Sequence, residues 1–174
     1  MAQILLDGSE SNLGWGINGS SRLQVWYDTT TVYQFYVGQA ALGAFYRKST
    51  DSGATWATRV SILSINSGYI DIDLYYARWH DTANTPIAHI IVHDDTGGFR
   101  GIYYNSVNLQ TEALGTATGT YISDSLDPQP NSGPYSIGMS SSERIHVIGL
   151  KGVFSGAEHL ISTDGGASFS ASAD

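Results

Sequence analysis

The sequence contains no cysteine, so disulfides and thiolate chemistry are excluded. Basic residues are scarce: 8 lysines and arginines stand against 16 acidic residues, and the formal net charge is −8. Binding to a nucleic-acid backbone requires clustered lysine and arginine that neutralise phosphates. We therefore expect no nucleic-acid partner for this chain.

Long apolar runs and helical periodicity are missing as well. No apolar stretch approaches the roughly 20 residues that a membrane-spanning helix needs. The start, Met1-Ala2-Gln3, lacks the charged and apolar regions of a signal peptide. We therefore expect no membrane insertion, and the compartment stays unknown, with a virion or an extracellular assembly as candidates. Because apolar residues do not recur at helical spacing, we also expect almost no helix.

Glycine and aromatic residues are abundant, with 20 glycines, 11 tyrosines and 4 tryptophans among 174 residues. Short strands joined by many turns are typical of this composition. The length suits one domain, so we predict a single all-β unit over residues 1–174.

Two similar stretches, residues 49–56 and 162–169, follow the pattern Ser-x-Asp-x-Gly-x-(Ser/Thr)-aromatic. An aspartate in such a turn accepts hydrogen bonds from main-chain N–H groups two or three residues on. Glycine adopts a positive φ there without a Cβ clash, and the aromatic is expected to fold back as an apolar plug. The turn residues are Ser49, Asp51, Gly53 and Trp56 in the first stretch and Ser162, Asp164, Gly166 and Phe169 in the second.

This pattern resembles the Asp box, also called the BNR repeat, of sialidase-like β-propellers. In that family the box is a folding element that lies away from the active site. The resemblance therefore implies a structural role for Asp51 and Asp164, and we predict no catalytic function for either residue.

A degenerate copy of the box begins at Ser106, between the two clear ones. Ser106 follows Ser49 by 57 residues and precedes Ser162 by 56, which indicates a repeat. Three strand-like runs precede each serine and one follows the first two, as expected for four-stranded propeller blades. The predicted repeats span residues 22–63, 69–122 and 135–174, with a further N-terminal strand over residues 3–7.

The predicted fold class is all-β, a partial β-propeller of about three four-stranded antiparallel blades with Asp-box hairpins. Closed propellers typically have four to eight blades, so three would leave sheet faces and edges open to association. The chain could be a piece of a longer six-bladed protein, one of two copies that close a ring, or a wedge in a larger assembly. We accordingly expect other protein chains as partners.

The predicted ligand-binding face is formed by loops at the end opposite the boxes, where the links between blades and between second and third strands emerge. Exposed tyrosine and tryptophan stack on sugars, so a glycan is the expected ligand. Residues 94–98 are interpreted as a polar turn on this face. The predicted binding residues are Tyr69, Asp94, Asp95, Arg100 and Tyr135.

Two pairs of polar side chains share a strand face. Asp71 and Asp73 could hold a cation in a channel, but solvated or backbone-bonded carboxylates are the favoured interpretation. His89 and His93 would lie about 13 Å apart along a strand, which is too far to bind one ion. We therefore predict packed or edge-facing histidines, no metal site and no cofactor.

Catalysis of the sialidase type would require residues that the resemblance specifies: an arginine triad, an aspartate acid/base and a tyrosine paired with a glutamate. The sequence lacks the arginine-isoleucine-proline motif, and its arginines show no triad spacing. No Ser-His-Asp signature, phosphate loop or zinc spacing occurs either. We therefore assign no catalytic residue.

The favoured function is a non-catalytic propeller module for binding or assembly. The composition is typical of a bacteriophage virion component, such as a glycan-recognising tail, fibre or capsid-surface protein. One alternative is a sialidase-like glycoside hydrolase fragment, or a half-site that another chain completes. The other alternative is a purely structural assembly protein.

Overall fold

The described part of the computed structural model forms three four-stranded antiparallel sheets and no helix. No helix in that part could therefore cross a membrane. The described residues are 23–38, 43–64, 70–76, 85–96, 99–117, 119–123, 135–150 and 156–172.

Each sheet is a meander in which the strands pair in chain order. The first sheet contains β1 (Gln24–Trp26), β2 (Val32–Gly38), β3 (Gly43–Ser49) and β4 (Val60–Ser64). The second contains β5 (Ile70–Tyr76), β6 (Ile87–Thr96), β7 (Phe99–Asn108) and β8 (Thr120–Ser123). The third contains β9 (Ser136–Met139), β10 (Ile145–Leu150), β11 (Ala157–Ser162) and β12 (Ser170–Ala171).

The second sheet is covered on both faces, because successive side chains of β6 enter different cores. Ile90 and Val92 are buried in the core shared with the first sheet, whereas Ile91 is buried in the core shared with the third. Alternation of side chains along a strand places these residues on opposite faces. Residues 87–92, an apolar run interrupted only by His89, are the sequence signal for a strand buried in this way.

The strand order gives the molecule two distinct ends. The turns that follow β3, β7 and β11 lie at one end, which we call the turn end. The paired strand ends Gly38 with Gly43, Thr96 with Phe99 and Leu150 with Ala157 lie at the other, which we call the hairpin end. β5 and β9, the first strands of the second and third sheets, also begin at the hairpin end, since Ile70 pairs with Asp94 and Ser136 pairs with Ile148.

The register corrects the position of the middle repeat. A β-bulge precedes Phe45 in the first sheet and Tyr103 in the second, so these two residues occupy matching positions. Ser49 lies four residues after Phe45, and Val107 lies four residues after Tyr103. Val107, not Ser106, therefore matches Ser49, and the prediction for Ser106 is wrong by one residue. The evenly spaced serines suggested the wrong alignment because the middle turn has an apolar residue where the others have serine.

Several predicted features lie outside the described part of the chain. They are the N-terminal strand over residues 3–7, Tyr69, and the side chains of Asp71, Asp94, Asp95 and Arg100.

Candidate functional site

The turns over residues 49–56 and 162–169, here the first and second Asp turns, are held by the same hydrogen bonds. The Ser49 hydroxyl donates to Asp51 Oδ1 at 2.7 Å and accepts from the Gly53 N–H at 2.8 Å. Asp51 in turn accepts from the Thr55 N–H at 2.8 Å and from the Thr55 hydroxyl at 2.6 Å. The aspartate thus bridges to a residue four positions on, further than the two or three expected from an Asx turn.

The second Asp turn repeats this network. Ser162 donates to Asp164 at 2.8 Å and accepts from the Gly166 N–H at 2.8 Å. Asp164 accepts from the Ser168 N–H at 2.9 Å and from the Ser168 hydroxyl at 2.5 Å. Gly166 has φ +93° and Gly53 has φ +89°, so both glycines occupy the left-handed region as predicted.

Hydrogen bonding fixes the charge state of both turn aspartates. The Thr55 hydroxyl and N–H lower the pKa of Asp51 to about 2, and those of Ser168 do the same for Asp164. Both carboxylates are therefore ionised acceptors, with their oxygens already engaged within the turn. The aromatic plugs are half-buried, and the Phe169 ring lies 5.3 Å from that of Tyr104.

The middle turn, residues 107–114, replaces this polar network with apolar packing. Val107 and Leu109, which match Ser49 and Asp51, are 0% and 1% exposed. Leu114 matches Trp56 and packs against the core between the first and second sheets. Asn108 Oδ1 accepts from the N–H groups of Gln110 and Thr111 and closes the bend instead.

A cleft of about 300 Å³ opens at the turn end between the second and third sheets. β6 and β7 supply one wall, and the second Asp turn with the β9–β10 turn supplies the other. The volume is at the lower limit for small-molecule sites. We call it the turn-end cleft, and its described lining residues are Thr85, Ile87, His89, Ser106, Met139, Ser142, Glu143, Thr163, Asp164 and Gly165.

His89 is held firmly in the wall of this cleft. Its Nδ1 lies 2.7 Å from the Tyr104 hydroxyl, and both residues are buried. The hydroxyl also donates to the Gly165 carbonyl at 3.4 Å, which links the second sheet to the second Asp turn. Burial raises the pKa of Tyr104 to about 12, so the phenol remains protonated at neutral pH.

The cleft is acidic and rich in hydroxyl groups. Glu143 and Asp164 are the carboxylates among its described lining residues, and none of these residues is lysine or arginine. Serine and threonine supply four hydroxyls, whereas Ile87 and Met139 supply apolar surface. This combination can bind a polyhydroxylated, uncharged molecule but gives an anion no compensating charge.

Of the binding residues predicted at the hairpin end, the structure describes the backbone of Asp94, Asp95 and Arg100 and the side chain of Tyr135. Asp94 and Asp95 belong to β6, and Asp95 pairs across the hairpin with Arg100 of β7, so the expected polar turn is shorter than residues 94–98. Tyr135 is 6% exposed, and its ring lies 4.9 Å from that of His93. Tyr135 thus packs in the core beside this hairpin and offers little surface for stacking on a sugar.

Of the side chains in the two predicted pairs, Asp73 and His93 have structural contacts, His89 lies in the cleft wall, and that of Asp71 lies outside the described part. Asp73 accepts from the Ile137 N–H at 3.0 Å and so joins the second sheet to the third. Burial lowers the pKa of His93 to about 4. In the described part of the chain, no group of three or more histidine or acidic side chains could hold a metal ion.

No protein-family model matches the sequence, and a search of curated proteins finds no match. Among solved structures, the chain is similar to a polysaccharide lyase PL25, an ulvan lyase, bound to -[GlcA(1-4)Rha3S]-. The TM-score is 0.52 at 15% identity, and the similarity covers 85% of this chain and 42% of the lyase chain. The chain therefore spans about two fifths of the length of that protein.

At this level of identity the similarity shows the fold alone. The lyase has a propeller-type fold, so three stacked four-stranded antiparallel sheets are confirmed as a propeller-type arrangement. The sialidase-like family predicted from the box pattern is not identified by these comparisons.

Proposed function

We propose that the protein is a glycan-binding propeller module and that the turn-end cleft is its binding site. The cleft itself carries the proposal, because it combines convergent hydroxyls with two apolar side chains in one concave space. The similar propeller-type structure is a carbohydrate-active enzyme, which supports a glycan as the ligand class.

The ligand we propose is an uncharged oligosaccharide. Ile87 and Met139 offer contact to the C–H face of a sugar ring, and the Glu143 carboxylate is an acceptor for sugar hydroxyls. A uronate or sulfate would meet Glu143 and Asp164 without a lysine or arginine among the described lining residues. The polymer named for the lyase contains glucuronic acid and a sulfated rhamnose, so we do not transfer it to this site.

A binding role fits the cleft better than hydrolysis does. Glycoside hydrolysis requires one carboxyl group that is protonated and a second that is free to act as nucleophile or base. Asp164 is ionised, and both its oxygens accept hydrogen bonds from Ser162 and Ser168. A sialidase-like hydrolase, alone or completed by another chain, remains the alternative that hydrolysis assays would detect.

The hairpin-end surface of Tyr69, Asp94, Asp95, Arg100 and Tyr135 remains the competing glycan site. Assignment to the Asp-box class also stays a proposal, which the matched hydrogen bonds of the two Asp turns support. Self-association and a place in a virion or another assembly stay predictions. Measurement of the native mass, followed by electron microscopy of any particle found, would test them.

The cleft can be tested with matched variants of the two Asp turns. Thr163 and Thr50 occupy the same position in these turns and are both exposed, but only Thr163 is among the lining residues described for the cleft. We expect Thr163→Trp to fill the cleft and lower affinity for neutral oligosaccharides at least tenfold, whereas Thr50→Trp leaves it unchanged. A glycan array would identify the ligand, and titration calorimetry would measure each affinity.

The third variant, Arg100→Ala, distinguishes the two sites. We expect it to bind like the unsubstituted chain. Loss of binding in Arg100→Ala, with Thr163→Trp unaffected, would move the site to the hairpin end. Absence of glycan binding by the unsubstituted chain would overturn the proposed function.

A further inference from the structure

His146 and His159 meet on the face of the third sheet that points away from the second. His146 of β10 pairs with Ile161, and His159 of β11 pairs with Ile148, so the two histidines are diagonal neighbours on one face. Val147 and Leu160, which alternate with them, are buried in the core between the second and third sheets. Both histidines are partly exposed.

The two imidazoles contact each other through ring nitrogens. Nδ1 of His146 lies 2.9 Å from Nε2 of His159, the ring centroids are 5.1 Å apart and the planes differ by 18°. That centroid distance is close to the largest that rings joined through these nitrogens can have. The rings therefore lie edge to edge in nearly one plane, and the two nitrogens point at each other.

We propose that His146 Nδ1 and His159 Nε2 form a binding site for a divalent transition-metal ion of the copper, nickel or zinc class. Imidazole nitrogens bind such ions at about 2.0–2.1 Å, so two of them on a tetrahedral ion lie about 3.3 Å apart. The separation must open by about 0.4 Å, and each partly exposed ring must turn by roughly 35° so that its lone pair points at the ion. The ring that donates the shared proton then carries its N–H on its other nitrogen, so both imidazoles stay neutral and both facing nitrogens can coordinate the ion.

The surroundings leave room for the ion and for its remaining ligands. Gly138 is the residue opposite His146 on β9, and a Cβ built on it would meet no atom within 4 Å. Because the described residues contain no third histidine or carboxylate at the site, water fills the other positions. Copper(II) is expected to bind most tightly of the three, following the usual order for nitrogen ligands.

Charge affects this site in two opposing ways. Partial burial, His159 and Arg144 all lower the pKa of His146, which keeps its imidazole in the neutral form that binds metal. The positive charge of Arg144 also repels the bound cation. Because the ordinary pKa of histidine already lies below neutral pH, the repulsion is the larger effect there, and the site should bind copper(II) more tightly when Arg144 is replaced by an uncharged residue.

Calorimetric titration of the untagged, chelator-treated chain with copper(II) chloride at neutral pH tests the proposal. We expect one ion per chain, at least tenfold weaker binding in His146→Gln and in His159→Gln, and no specific binding in the double variant. Arg144→Gln should bind severalfold more tightly. Ile148→Ala is the matched control, because Ile148 is 51% exposed on the same face and is no ligand.

Two results would overturn the proposal. One is a titration in which the unsubstituted chain shows no specific copper(II) binding. The other is a double variant that keeps the stoichiometry and affinity of the unsubstituted chain. Circular dichroism of each metal-free variant shows whether the sheets are intact, and copper(II) electron paramagnetic resonance reports directly whether imidazole nitrogen is coordinated.

Discussion

The turn-end gap between the first and second sheets is filled, whereas the matched gap between the second and third sheets is open. In the first gap, Tyr33 donates to the Leu109 carbonyl at 2.6 Å, and Lys48 lies over the Tyr33 ring. The register matches Tyr33 with His89 and Lys48 with Ser106, since these residues form equivalent cross-strand pairs.

The difference lies in side-chain size and polarity at three matched positions. His89 and Ser106 are smaller than Tyr33 and Lys48, and the exposed Asp164 stands where the buried Leu109 stands in the middle turn. The same repeat therefore builds a packed core in one gap and a polar cleft in the other. Differences at a few matched positions are enough to turn a packed junction into an open cleft, which is the binding site that we propose.

The largest effect is expected at the glycine of the second Asp turn. A Cβ on Gly166 would lie 2.0 Å from the buried Tyr104 ring, whereas a Cβ on the matched Gly53 would meet only Trp56, at 3.6 Å. Both positions have positive φ, so alanine strains both turns. Gly166→Ala should lower the free energy of unfolding by about 2–6 kcal/mol, including overpacking against Tyr104.

Urea denaturation of Gly166→Ala and Gly53→Ala measures this difference. Gly53→Ala should be clearly less destabilised, because it has the strain without the clash. Equal losses in the two variants would mean that the second Asp turn is not packed on Tyr104.

The next largest loss of stability is expected in the middle turn. Leu109→Ala should lower the free energy of unfolding by about 2–5 kcal/mol, because Leu109 is 1% exposed and the cavity cannot collapse fully. Asp164→Ala, at the matched position, should cost less because that side chain is exposed and its bonds are local. Hydrogen exchange should show faster exchange across both neighbouring sheets in the first variant and within residues 162–169 in the second.

As the pH falls, the first loss of stability is expected from the core between the second and third sheets. His93 has its pKa lowered to about 4 by burial, so the unfolded chain binds a proton between pH 6.5 and 4 that the folded chain does not. Stability should fall by roughly 3 kcal/mol over this range, and His93→Phe should remove most of the slope. Urea denaturation as a function of pH checks both expectations.

The stabilising contribution of the turn aspartates should be lost only at lower pH. Asp51 and Asp164 have pKa values of about 2, below the usual value of 3.8, so their contribution is complete above about pH 4 and is lost as pH falls towards 2. The middle turn, which has no such aspartate, should keep its amide protection in this range. Simultaneous loss of protection in all three turns would contradict the distinction between them.

The smallest effect is expected at the ion pair that crosses the filled gap. Lys48 and Glu112 are 27% and 38% exposed, so the pair is partly screened by solvent. Glu112→Gln should cost no more than about 1 kcal/mol, and less in high salt. A larger loss, insensitive to salt, would show that the ion pair and not Leu109 holds the middle turn against the first sheet.

The sequence was informative where interactions are local. The serine and aspartate side-chain bonds within the Asp turns span at most four residues, so the local pattern predicts the positive φ values and the aromatic plugs. The middle turn was misplaced by one residue because Val107 and Leu109 are held by packing and by contacts such as Tyr33, which no local pattern reveals. The cleft was missed for the same reason, since sheet stacking brings His89 of β6 to Gly165 of the third repeat.

Register also decided which histidines meet. His89 and His93 lie close in sequence but do not meet, because His89 lies in the wall of the turn-end cleft and His93 packs against Tyr135. His146 and His159 are 13 residues apart and become neighbours only through the pairing of β10 with β11. A size comparison of matched positions in the repeat, made with the correct register, would have identified the open gap from sequence.

The most direct test of glycan binding in the open gap is a titration of the ¹⁵N-labelled chain with the best neutral oligosaccharide from the array, followed by two-dimensional NMR. The account predicts shift changes that cluster at residues 87–89, 139–143 and 163–165, with the hairpin end unaffected. Changes confined to residues 94–100, or a response only to uronate or sulfated oligosaccharides, would contradict it.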